Sequence, residues 1–327
     1  MDRTLLFITA FCAAYCLDLI LGDPQGWPHP VRILGKIITF LEEAARKICH
    51  SPAGLKVAGA VIVVIVAGGS AVAVFLALRA AYSFHVTAGL ILEIYLLYSV
   101  LGGGDLRSHI ARVERPLGEG SHGKARSAVA MIVSRDAGSL DESGITRAAL
   151  ESLFENSSDG LVAPLIFAAF LGPVGAVFYK AVNTLDSMIA YRTEKYADIG
   201  FFAAKVDDFL NLVPARFTAL LIVFLGLLQG RAGDSFRVLK KDRYNHDSPN
   251  SAWPEAAAAG VLGVCLGGVD IYGGKRIERP LINAGGRHPR CTDLREGLVL
   301  FRRLSLTVFI LTLLVAWWIR YGEVFII

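Results

Sequence analysis

The stretch Val57–Ala77, VAGAVIVVIVAGGSAVAVFLA, carries no charged residue. A helix needs about 20 apolar residues to cross a hydrocarbon core of roughly 30 Å, and this run suffices. Six further apolar blocks share the chain. Leu304–Ile319 ends in Trp317-Trp318 with Arg320 beyond, an interfacial anchor of aromatic and basic side chains. Leu5–Leu21 is interrupted only by Asp18, and Val86–Leu101 has Glu93 in its middle. Leu161–Val182, Phe217–Leu228 and Ala256–Val269 are shorter or broken by Gly and Pro. One such block alone reads as a buried core helix. Seven predict an all-α, polytopic integral membrane helical bundle in the lipid bilayer. Composition agrees: of 327 residues, 54% are hydrophobic and 19% charged, with mean hydropathy +0.51, too apolar for an ordinary soluble domain.

Leu5–Leu21 lacks a strongly basic leader and runs into Gly22-Asp23-Pro24 rather than a cleavage site, so it reads as a retained span. The five cysteines form no CxxC or Cys/His spacing, which disfavours a zinc site or disulfide framework. A net charge of +4 says nothing specific about nucleic acid, and no nucleic-acid partner is expected. Basic residues follow the first and fourth blocks, so the positive-inside rule places the N-terminus outside and 23–55 and 102–160 in the cytoplasm. The expectation is one membrane-embedded domain over 1–327 with a cytoplasmic helical insertion at about 102–160. The loops 183–213, 231–254 and 273–303 are also basic, which seven straight crossings do not allow. A re-entrant hairpin at Leu171-Gly172-Pro173, or short helices that do not span, would resolve the conflict.

The chemistry concentrates in polar segments between blocks. In Glu151–Gly160, ESLFENSSDG, a helix would put Glu151, Glu155 and Asp159 on one face. Such carboxylates need a cation, a basic partner or raised pKa values. Asn183-Thr184-Leu185-Asp186 repeats the spacing of Asn156 and Asp159 beyond the next apolar run, and the hairpin would return it to the first cluster. Carboxylates and amides suit Mg²⁺, which shares its sphere with phosphates. Downstream lie Tyr191, Arg192, Asp207, Asp208, Asn211 and Arg216, whose guanidinium groups suit bidentate binding of phosphate or carboxylate. Arg243 precedes a proline-stiffened turn with Ser248, Asn250 and Trp253, and Glu255 would open the helix that follows. Asp23, His29 and Arg32 sit on a loop of three prolines and two glycines. Caps and surface ion pairs explain any one of these residues, but explain both acidic-amide clusters less well. Gly102-Gly103-Gly104-Asp105 lacks a P-loop ending and reads as a flexible helix exit. Ala111–Ala130 and Gly144–Phe154 read as amphipathic helices, the second capped by Asp141 or Ser143, and Tyr272–Pro280 as a basic loop.

Five segments, Leu19–Arg32 (LILGDPQGWPHPVR), Arg147–Pro164 (RAALESLFENSSDGLVAP), Tyr179–Tyr191 (YKAVNTLDSMIAY), Ala203–Ala219 (AAKVDDFLNLVPARFTA) and Asp247–Gly263 (DSPNSAWPEAAAAGVLG), resemble in order the CobD/CbiB family of cobalamin biosynthesis, the adenosylcobinamide-phosphate synthases. The resemblance implies a ligase in the cell (inner) membrane, its active site facing the cytoplasm. It would join a carboxyl of adenosylcobyric acid, a corrinoid, to the amine of (R)-1-amino-2-propanol or its O-phosphate. Mg²⁺ and ATP would be required, and a homo-oligomer is allowed but not demanded. Under that resemblance Glu155, Asp159 and Asp186 bind Mg²⁺ with help from Asn156 and Asn183. Arg192, Arg216 or Arg243 holds ATP or aminopropanol phosphate, and Asp207, Asp208 or Glu151 takes the ammonium proton. Asp23, His29 and Arg32 line the corrinoid or phosphate pocket, and Tyr191, Asn211, Ser248, Asn250, Trp253 and Glu255 complete the binding set.

Two rivals stand beside it. A Mg²⁺-dependent intramembrane prenyl- or phospho-alcohol transferase would also gather acidic residues at a membrane face, but Asp-Asp-x-x-Asp is absent and ATP would be unnecessary. A transporter would use Asp18 and Glu93 within spans, yet most polar residues sit in loops and no inverted repeat is evident.

Overall fold

Six helices are long and apolar enough to cross a membrane: Arg3–Leu21, Pro52–Phe84, Val86–Gly118, Glu142–Ile189, Leu212–Gln229 and Cys291–Tyr321. They are counted among residues 3–23, 29–191 and 193–324, which the computed structural model describes. The architecture is all-α but for one two-stranded hairpin. The chain is a polytopic membrane protein by the length and composition of these helices.

One expected span is corrected. Ala256–Val269 does not form a single helix. The helix Ala252–Leu262 stops at Gly263, whose φ of 67° is the left-handed C-terminal stop that glycine permits. Strand Leu266–Tyr272 follows and pairs antiparallel with Lys275–Ile282. Gly273 and Gly274 turn between them at φ 54° and 78°, the conformation a two-residue hairpin requires. The segment read as a basic loop is therefore this hairpin.

The expected reversal at Leu171-Gly172-Pro173 is present. Gly172 adopts φ 65° and ψ −161° inside an otherwise helical stretch. The ring of Phe167 stacks on Tyr179 with centroids 4.9 Å apart, whereas an unbroken helix would separate these residues by about 18 Å. The chain folds back on itself at Gly172.

Three local readings change with packing. Gly103 and Gly104 are buried in the first turn of helix Gly103–Gly118 and are not a flexible exit. Ala111–Ala130 is divided between that helix and His122–Val129 by a turn at Gly120 (φ 73°). Glu142–Ser157 is capped by Asp141, which accepts the Gly144 N–H at 2.7 Å. Its residues from Ala148 to Phe154 are all buried, so it is a core helix and not an amphipathic surface one.

The chain divides into two compact units. The first comprises 1–102, 163–210 and 309–327; the second comprises 103–162 and 211–308. Leu34, Ile38, Val66, Leu185 and Ile199 help form the core of the first. Gly59 is required there, because a Cβ would collide with the Ile199 carbonyl oxygen. In the second, Gly297 leaves room for Leu150, whose Cδ2 lies 2.8 Å from where a Cβ would stand.

Candidate active site

The second unit gathers Glu155, His246 and Glu255, with one carboxylate oxygen or ring nitrogen from each lying within 4.8 Å of the others. Glu155 comes from helix Glu142–Ser157 and Glu255 from the first turn of Ala252–Leu262. The turn before that helix carries His246 and is tied together by its own side chains. Ser248 N–H donates to His246 Nδ1 at 3.0 Å, and Asn250 N–H donates to Ser248 Oγ at 3.2 Å. Ser251 Oγ then donates to Glu155 Oε1 at 2.8 Å, fixing that carboxylate to the turn.

Glu255 is 3% exposed. Burial pushes its carboxyl well above the usual range, and the neighbouring Glu155 and Glu151 push the same way against Arg279 and Arg135. In the absence of a cation these surroundings favour the neutral acid. A divalent cation between the carboxylates would relieve both causes. With the Ser248 N–H on Nδ1, neutral His246 carries its hydrogen on Nε2. The lone pairs left for a cation are those of carboxylate oxygens, the donors Mg²⁺ prefers. The residues present therefore fit that ion.

A basic and aromatic group adjoins this turn. Arg216 donates to Asn250 Oδ1 at 3.0 Å and to the Leu212 carbonyl at 2.8 Å. Its guanidinium carbon lies 4.4 Å from the centroid of Trp253. Arg243 lies over Tyr244 at 4.7 Å and over Trp253 at 5.6 Å.

Behind the cluster is a buried ionic network. Arg135 bridges Glu151 at 2.5 Å and Asp270 at 2.8 Å, and Arg147 reaches Asp270 at 2.7 Å. Burial opposes the charge on Arg135, but Glu151 and Asp270 outweigh it and raise its pKa above the ordinary value. Glu151 also accepts the Gly267 N–H at 2.8 Å, joining its helix to the β-hairpin.

The family profile described as CobD/Cbib protein matches residues 11–301. This chain belongs to the CobD/CbiB family. Cobalamin biosynthesis protein CbiB of Salmonella arizonae is 40% identical over 307 residues, which are 93% of this chain and 96% of that protein. Cobalamin biosynthesis protein CobD of Citrobacter koseri is likewise 40% identical, over 93% of this chain and 96% of its own length. CbiB of Salmonella typhimurium is 40% identical over 89% and 92%. No solved structure matches.

The other residues expected in a CobD/CbiB site are distributed over both units. Asn156 donates from Nδ2 to the Ser152 carbonyl at 2.8 Å, within its own helix. Asp159 lies in the π-helical turn Ser158–Val162 of the second unit. Asn183 and Asp186 belong to the first, where Lys180 Nζ donates to Asn183 Oδ1 at 3.4 Å. Also in the first unit, Asp23 lies 3.8 Å from His29 and 3.7 Å from Arg32, and burial chiefly lowers the pKa of His29. Asp207 is buried and Asp208 half-buried on helix Phe201–Leu210, while Tyr191 is exposed. Asn211 is buried in the second unit. Arg192 and residues 24–28 lie outside the described residues.

His246 and Asp270 escaped the sequence reading. His246 belongs to no metal-ligand motif. Asp270 stands just beyond what read as an apolar span, Ala256–Val269. A buried carboxylate at 0% exposure becomes recognisable only once Arg135, Arg147 and Arg279 converge on it.

Proposed function

We propose that this CobD/CbiB member acts in cobalamin biosynthesis as a membrane ligase. It would form an amide between a carboxyl of adenosylcobyric acid and the amine of 1-amino-2-propanol or its O-phosphate, with hydrolysis of ATP. The names of the relatives, cobalamin biosynthesis proteins CbiB and CobD, support the pathway. The observation that carries the chemistry is the gathering of Glu155 and Glu255 beside Arg216, Asn250 and Ser251. A carboxylate does not condense with an amine unaided, because its oxygen is a poor leaving group. Transfer of the ATP γ-phosphoryl group to that oxygen gives an acyl phosphate and releases ADP. The amine, once deprotonated, displaces phosphate to form the amide, and bound Mg²⁺ would neutralise charge on the phosphates.

The chain's own residues have separable tasks in this reading. Glu155 and Glu255 hold the cation, with Ser251 orienting Glu155. Arg216, oriented by Asn250, neutralises anionic substrate. Glu151 is a positioning residue, because its oxygens are committed to Arg135 and Gly267. The site would face the cytoplasm of the cell membrane, where ATP is present.

Protein purified in detergent should convert adenosylcobyric acid to an amide product with Mg·ATP and one of the candidate amines. Glu155→Gln should lose at least 100-fold in kcat/KM, because one carboxylate ligand is gone. Absence of amide product with every amine, together with ATP-independent transfer from a prenyl diphosphate or an activated phospho-alcohol, would instead support the prenyl- or phospho-alcohol transferase reading. Full turnover by Glu155→Gln would remove that residue from the site.

A further inference from the structure

Two guanidinium groups in the second unit share one tryptophan, and neither has a carboxylate partner among the described residues. Arg216 and Arg243 both lie over Trp253, at 4.4 and 5.6 Å, so their carbons are at most about 10 Å apart. Every other arginine in the buried network of this unit faces an acid: Arg135, Arg147 and Arg279 meet Asp270. Asp242, next to Arg243 in the chain, instead accepts the Asn283 N–H at 2.7 Å. The hydrogen bonds Arg216 makes go to neutral oxygens, Asn250 Oδ1 and the Leu212 carbonyl, and they orient the group without cancelling its charge.

Three further observations mark this place as built for an anion. Trp253 Nε1 is a buried donor with no acceptor among the described residues, and buried N–H groups left without a protein partner are rare. Tyr244 packs edge-on against Trp253, with centroids 6.3 Å apart at 89°. Its hydroxyl pKa is lowered by the hydrogen bond and charge of Arg243, and Arg216 adds to the effect, which registers a positive local field. Finally, Trp253 lies in the first turn of the Ala252–Leu262 helix, whose N–H groups and dipole favour negative charge.

We propose that Arg216, Arg243 and Trp253 form a phosphate subsite. The arginines grip phosphate oxygens while the indole face holds both planar groups in place and its N–H completes the donor set. Asn250 and Ser251 are consecutive, and they reach Arg216 and Glu155 respectively. The subsite therefore adjoins the carboxylate cluster, so a phosphate held by the arginines could share a cation with Glu155. The subsite rests on the functional reading above only for the identity of its ligand. A phosphorylated amino alcohol and the terminal phosphates of ATP present the same chemistry.

Isothermal titration of the full-length protein in detergent, with inorganic pyrophosphate, 1-amino-2-propanol O-phosphate and ATP as separate probes, tests the proposal. Arg216→Gln and Arg243→Gln should each weaken at least one probe about tenfold or more, and the double variant should abolish its binding. Loss confined to the amino alcohol phosphate assigns the subsite to the amine, and loss confined to ATP assigns it to the nucleotide. Unchanged affinity of all three probes in the double variant overturns the proposal. If the Gln variants do not fold, Arg216→Lys and Arg243→Lys serve in their place. They keep the charge and lose bidentate geometry, so affinity equal to wild type would also overturn it. Arginine-dependent phosphate binding without any amide product would leave the subsite standing and reject the ligase reading. Amide synthesis with wild-type probe affinities in the double variant would do the reverse.

Discussion

Ser251 Oγ donates to Glu155 Oε1 across 96 residues of sequence, at 2.8 Å. This hydrogen bond fixes the carboxylate of one helix to the turn that opens another, and it sets where a cation could sit. Outer partners of metal ligands are worth about 10–100-fold in affinity. Ser251→Ala should therefore weaken binding of Mn²⁺, used as a paramagnetic stand-in for Mg²⁺, by about tenfold. Electron paramagnetic resonance titration of free Mn²⁺ reads this directly. Unaltered affinity would show that Glu155 is oriented by something else.

A second prediction concerns the ionic network. The Arg135 and Glu151 side chains are each only 6% exposed, so removing one partner strands a buried charge. Breaking such a pair costs about 3–5 kcal/mol. Arg135→Leu should thus lower the melting temperature markedly, whereas Glu151→Gln should destabilise less because it retains an acceptor for the Gly267 N–H. Were Glu151 a catalytic base, Glu151→Gln would abolish turnover with an unchanged melting curve. Thermal unfolding and turnover of the same preparation separate the two roles.

The sequence disclosed the parts of this protein whose physics is local. Val57–Ala77 needs only length and apolarity to be recognised, and it lies inside the helix Pro52–Phe84. Leu171-Gly172-Pro173 announces a reversal because glycine and proline restrict the backbone in known ways, and the chain turns there. Ala256–Val269 misled for the same reason. Its apolar residues fill the interior of the second unit, and burial in protein and burial in lipid select the same side chains. Convergence was beyond reach. Glu155 and Glu255 each stood out as acids beside apolar helices, but nothing in their spacing joined them, and His246 gave no signal at all. A three-dimensional turn, wired through Ser248, Asn250 and Ser251, makes them neighbours.

Gly172 yields a third prediction. At φ 65° and ψ −161° its backbone occupies a region that is essentially glycine's alone, and a side chain there costs on the order of 1–3 kcal/mol. Gly172→Ala should lower the melting temperature by several degrees. The strain lies in the backbone, so Gly172→Ser should do the same despite its polarity. Wild-type stability in both variants would mean that the turn is made by Pro173 alone.

The last prediction follows from the protonation of Glu255. Its folded pKa is raised, first by burial and then by Glu155 and Glu151. The folded state therefore binds the proton more tightly than the unfolded chain does, whose Glu titrates near 4.3. The stabilising contribution of the protonated form is complete below about pH 4.3 and is lost as pH rises towards the folded pKa. Above that value the buried charge is a net burden. Glu255→Gln cannot ionise, so without divalent cations it should melt higher than wild type at pH 8, and the difference should close as pH falls towards 4.3. Millimolar Mg²⁺ should raise the wild-type melting temperature at pH 8, because the cation stabilises the ionised pair, and should raise that of Glu255→Gln much less. Differential scanning fluorimetry over this pH range, with and without Mg²⁺, measures both effects. A melting difference that ignores pH would place the stability change in packing, and an equal response to Mg²⁺ in both proteins would remove Glu255 from the cation site.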